Sequence, residues 1–181
     1  DVLRAHAMGL IVDIVPNHMA VGGAGNSRWE DMLAWGKNSP FAAFFDVAWD
    51  DPESQAASGI VLPFLDRPYS QALENGALKL AYDGESGLFF VRHHEHRFTV
   101  CPADYAAILK EGGAPDALCR AFTITAQRGR PDRETDAALR ALSDWAVTGS
   151  GHSALHRIAE RHDPATPNGR AKLHALIARQ A

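Results

Sequence analysis

Cysteine is scarce in this sequence: Cys101 and Cys119 are the two among 181 residues, far apart and without CxxC spacing. Nothing in that spacing calls for a disulfide, and a reduced pair in the cytoplasm is the simpler expectation. No charge sign dominates, since 18 Lys and Arg face 22 Asp and Glu for a net charge of −4. No basic stripe is interleaved with aromatics, which argues against a nucleic-acid partner. No apolar run approaches the length of a membrane span, which argues against a membrane partner. Internal repeats and low-complexity tracts are also missing.

What is present is an apolar fraction of 46%, ample for a core in one domain or one domain with an appendage. Residues 1–8 (DVLRAHAM) read as the last turns of an amphipathic helix, with Val2, Leu3 and Ala7 on one side and Gly9 as its stop. Leu173, Leu176 and Ile177 keep helical spacing to the last residues. Both ends read as cut through elements, so a piece of a larger protein is expected.

Residues 10–15 (LIVDIV), between Gly9 and Pro16, read as a short buried strand. A helix, a glycine, an apolar strand and a polar loop make one step of a wound α/β fold. Asn26 or Ser27 caps an expected helix to about Gly36 that carries Trp29, Met32, Leu33 and Trp35, with Glu30, Asp31 and Lys37 on an exposed face. Ser39 caps a turn through Phe41, Phe44 and Phe45. Residues 60–65 (IVLPFL) suit a short strand that Pro63 demotes to an edge or a turn. Residues 68–75 predict a helix ended by Gly76. Residues 78–82 and 88–100 predict a hairpin around the loop 83–87. Helices are expected from Pro102 and over about 115–127, 132–147, 151–162 and 168–181.

Chemistry concentrates in Asp13-Ile14-Val15-Pro16-Asn17-His18. A strand would deliver Asp13 near its C-terminal end, with Asn17 and His18 just beyond, where parallel barrels bind ligands. A carboxylate, an amide and an imidazole suit sugar hydroxyls. The plainer alternative is an Asp that caps a loop and an exposed His. Trp29, Trp35 and Trp49 could stack on sugar rings, although helical aromatics are more often core; Trp29 stands nearest the motif. His93, His94, Glu95 and His96 invite a metal reading, with His94 and His96 on one strand face. No third well-spaced ligand is evident, so a solvated or ion-paired strand and no metal are expected. Asp46, Asp50, Asp51 and Glu53 form an acidic loop without EF-hand spacing, which is usually just solvated.

DIVPNH resembles the first signature motif of the α-amylase superfamily, which falls on the third strand of the barrel. Residues 26–50, 62–83, 89–109 and 173–180 are similar to the maltooligosyltrehalose synthases of glycoside hydrolase family 13, so the resemblance spans nearly the whole chain. It implies an α+β, helix-rich fragment of a (β/α)8 barrel enzyme: residues 1–21 as barrel helix end and strand, and 22–181 as an inserted subdomain with following helices. It implies a bacterial cytoplasmic parent that turns the reducing-end α-1,4 bond of a maltooligosaccharide into an α,α-1,1 bond, by retaining chemistry and without a cofactor. His18 would hydrogen-bond the glucose unit at the cleavage site. Asn17 would shape the adjacent loop (in many relatives it helps to hold calcium), Asp13 would organise the rim, and Trp29 would contact sugar.

The family's reacting carboxylates have no counterpart here. Arg130-Pro131-Asp132 opens a helix and follows no apolar strand, and His162-Asp163 ends a helix. No nucleophile or general acid is assigned, so the chain alone is expected to be inactive. Its expected partners are maltooligosaccharide and the rest of a parent chain. Two rivals remain: another glycosidase of the superfamily, such as an α-glucosidase, and a non-catalytic carbohydrate-binding module.

Overall fold

The computed structural model describes residues 2–9, 11–12, 25–49, 60 and 62–180. Its first helix, α1 (Val2–Ala5), is a single turn with no buried residue. Of the strand expected over 10–15, Ile11 and Val12 are described. They lie 96% and 57% exposed and belong to no strand. The rest of that strand and the boundary near residue 21 lie outside the described residues.

Helix α2 (Ser27–Trp35) begins where the sequence offered two caps. Asn26 is the one used: its Oδ1 accepts from the Trp29 backbone N–H at 3.1 Å, satisfying an orphan donor of the first turn. Met32, Ala34 and Trp35 are buried along α2. Ser39 then caps the aromatic turn, its Oγ accepting from the Phe41 N–H and donating to Asp31 at 2.5 Å.

Among the described residues of 60–65 there is no strand; Pro63 has no N–H to give to a ladder. Helix α3 (Tyr69–Glu74) follows. Next come β1 (Lys79–Asp83), β2 (Leu88–His93) and β3 (His96–Thr99), an antiparallel meander in the order β1-β2-β3. The second hairpin arm is thus two strands. The chain reverses at His94 and Glu95, with His94 in the left-handed region at φ +52° and His93 paired with His96. The alternation of residues 89–98 crosses this turn unbroken, so periodicity alone could not reveal it.

Five helices follow: α4 (Tyr105–Gly112), α5 (Asp116–Arg128), α6 (Arg133–Ala146), α7 (Gly149–Arg161) and α8 (Pro167–Ala178). Asp132, Thr148 and Thr166 cap the last three with side-chain oxygens. The helices bury Ile108, Leu109, Phe122, Leu142, Ile158 and Leu173 against Leu80, Phe89 and Val91 of the sheet in one cluster. At its centre the buried Tyr105 hydroxyl accepts from the Phe89 N–H at 2.7 Å. Burial pushes that phenol well above its usual range. Helices α4 and α7 approach closely because Gly112 has no Cβ; one placed there would meet the Ala154 carbonyl oxygen at 3.0 Å.

Candidate functional site

Asp13, Asn17 and His18, three of the four residues expected to meet sugar, lie outside the described residues. The fourth, Trp29, is 7% exposed and sets its ring edge-on to Phe45, centroids 5.1 Å apart. Its Nε1 has no hydrogen-bond partner among the described residues.

A cleft of about 390 Å³ lies between α2, the segment 60–65, the sheet and the end of α8. Met32, Trp35, Trp49, Leu65, Phe98 and Ile177 supply apolar wall, and Arg179 and Gln180 supply polar rim. Trp29 is not among its lining residues. Trp29 stands nearer the motif in sequence, but Trp35 and Trp49 line this cleft, and a Cβ on Gly36 would lie 3.7 Å from the Trp49 ring. Gln180 is held in place: its Oε1 accepts from the Cys101 N–H at 2.6 Å and its Nε2 donates to Asp104 at 2.7 Å. Burial pushes the Cys101 thiol up to about 11, so at neutral pH it is protonated and a poor nucleophile.

Glu30 departs from its expected place on an exposed face. It is 7% exposed and accepts from Arg97 Nε at 2.6 Å. Arg97 also approaches Asp83 at 3.5 Å and lies over the Phe90 ring at 5.2 Å. A charge on the inner side of α2 is tolerated because the sheet brings a guanidinium to it. Arg97 is distant in sequence, so charge spacing on the helix could not predict the pairing.

The turn at His94 also rearranges the histidine cluster. His94 and His96 do not share a strand face. Instead His93 and His94 converge on Asp66, with one ligand-type atom from each within 4.8 Å of the others. His93 is fully buried, Asp66 and His94 are exposed, and the two imidazole centroids are 4.3 Å apart. Arg67 hydrogen-bonds both carboxylate oxygens of Asp66, at 3.0 and 2.7 Å, and holds this carboxyl down at about 2. Asp66 is not legible as a partner in the sequence because it lies far from His93 along the chain.

The two motifs weighed as stand-ins for reacting carboxylates are structural. Asp132 is ion-paired with Arg128 and caps α6, its Oδ1 accepting from the Thr135 N–H at 2.9 Å. His162 is the buried residue that caps the C-terminus of α7, its Nδ1 2.9 Å from the Ile158 carbonyl. Among the described residues no helix is long and apolar enough to cross a membrane.

No family model matches the chain, and no solved structure matches it. Two curated proteins from Mycobacterium tuberculosis, strains CDC 1551 / Oshkosh and ATCC 25618 / H37Rv, carry the name "Putative maltooligosyl trehalose synthase". Each is 44% identical to this chain over 63 residues, which is 34% of the chain and 8% of the relative. The match therefore spans less than a tenth of the length of those relatives.

Proposed function

We propose that this chain is part of a (1→4)-α-D-glucan 1-α-D-glucosylmutase, an enzyme that makes trehalosyl-ended oligosaccharides from maltooligosaccharides. The observation that carries this reading is the 44% identity to the two mycobacterial proteins, together with DIVPNH at 13–18. In this reading residues 10–15 belong to a barrel strand, and the exposure of Ile11 and Val12 fits a strand whose neighbours come from elsewhere in a parent chain. Asp13, Asn17 and His18 form one wall of the active site, and the subdomain from residue 22 helps to enclose it. Enclosure matters chemically: the freed glucose must be held and returned through its anomeric hydroxyl before water intervenes. The nucleophile and the general acid come from other segments.

Two measurements test this. The chain alone, incubated with maltopentaose, should cause no loss of reducing ends; clear conversion would show that it holds its own reacting carboxylates. The parent protein should give trehalosyl-ended products, and release of free glucose instead would assign an ordinary α-glucosidase. A binding-module reading draws on the cleft with Trp35 and Trp49 on its wall. Saturable quenching of tryptophan emission by maltooligosaccharide, lost in Trp49→Ala, would favour it for this chain.

A further inference from the structure

The geometry points to a divalent transition-metal site, of the zinc class, formed by Asp66, His93 and His94. The buried histidine carries the case. His93 is 0% exposed, and its Nδ1 lies 3.3 Å from the Ala77 carbonyl oxygen. A carbonyl only accepts, so Nδ1 bears the proton and Nε2 presents its lone pair. Among the described residues no hydrogen-bond partner meets that Nε2, although Asp66 Oδ1 lies 3.4 Å away. A buried polar nitrogen without a partner is costly, and a cation between it and Asp66 removes that cost. A histidine that ligates through one nitrogen while the other donates to a backbone carbonyl is the usual arrangement at metal centres.

The spacing fits as well. Zinc bonds of about 2.0–2.2 Å in a tetrahedron set ligand atoms roughly 3.3–3.5 Å apart. The Asp66–His93 separation already matches that value. His94 Nε2, 3.9 Å from Asp66 Oδ2, needs only a small swing, which its exposure allows. Arg67 takes one lone pair from each Asp66 oxygen, and a carboxylate has about four such positions, so the anion keeps capacity for a metal. Three protein ligands leave a fourth position for water. The metal would pin the segment at Asp66 onto the β2–β3 turn. Leu65, the neighbour of Asp66, lines the cleft, so the same bond would fix one cleft wall.

The test uses the full chain without an affinity tag, stripped with chelator. Titration with Co(II) should give saturable visible absorption of tetrahedral type at one ion per chain, displaced by Zn(II), and Zn(II) should raise the melting temperature. Asp66→Asn and His94→Ala alter exposed residues, so both variants should remain folded by circular dichroism. Each should weaken binding at least tenfold. His156→Ala, at an exposed histidine paired with Glu160, should bind as the parent does. Absence of saturable binding below millimolar metal would overturn the site, as would affinity unchanged in both ligand variants.

Discussion

Asp132 shows how one side chain carries two structural duties, of which only the ion pair needs its charge. Its Oδ1 caps α6 and its other oxygen pairs with Arg128 on α5. The Arg128 guanidinium, helped by the Thr135 N–H, holds its carboxyl down from 3.8 to about 2. A carboxyl depressed in the folded state stabilises the fold above its unfolded value and loses that contribution as pH falls through the folded value. The contribution is thus full above about pH 4 and fades toward pH 2. Asp66 is held equally low, but its first partner is the adjacent Arg67, a pairing the unfolded chain largely keeps, so it adds less to folding. Burial raises Asp31, which has the opposite sign: its ionisation costs stability that acid restores. Asp132→Asn retains a capping oxygen and removes only the charge. Urea unfolding at pH 6 should find this variant less stable than the parent, with the difference shrinking steadily below about pH 4 and lost as pH falls through about 2. A difference that does not change with pH would refute a role for the Asp132 charge.

Among the elements, the joint between α6 and α7 is set by a glycine. A Cβ on Gly151 would stand 2.0 Å from the Trp145 carbonyl oxygen, a distance no local adjustment absorbs. Gly→Ala inside a helix normally gains about 1 kcal/mol; here overpacking of at least about 2–3 kcal/mol opposes it. Gly151→Ala should lower stability, whereas Gly149→Ala, with open space around it, should leave it equal or slightly higher. Thermal melts of the pair decide this; equal melting temperatures would refute the close approach. Most helix boundaries from residue 105 onward were legible because residues 129–132 and 163–167 are punctuation read locally; residues 149–151 read as a break but form the first turn of α7, because Thr148 caps it. The break at His94 was not legible, because a left-handed histidine leaves no mark in sequence and the alternation runs on through the turn. The Asp66–His93–His94 cluster depends on that turn, so it was hidden for the same reason. The rim motif was legible only as a resemblance, and its placement lies outside the described residues.

At the scale of the whole molecule, apolar burial is unevenly shared. The continuous core joins the sheet to α4–α8 and does not include the buried residues of α2. Helix α2 instead forms one side of the cleft, and Glu30 ties it to β3 through Arg97. Elements held by few buried contacts open at lower free energy than the core they rest on. Amides of residues 31–35 should therefore exchange with solvent through a partial opening, while those of residues 108–111 and 119–126 exchange only on global unfolding. Arg97→Ala leaves Glu30 buried without its partner, a costly state that opening of α2 relieves. Hydrogen exchange followed by mass spectrometry should show α2 exchanging roughly tenfold faster or more in that variant, equivalent to about 1.4 kcal/mol or more of lost local stability. Exchange in α4 should slow or quicken far less. If α2 and α4 accelerate together by the same factor, α2 belongs to one cooperative unit with the core and the cleft that α2 walls is rigid; if α2 alone accelerates, the cleft has a movable wall.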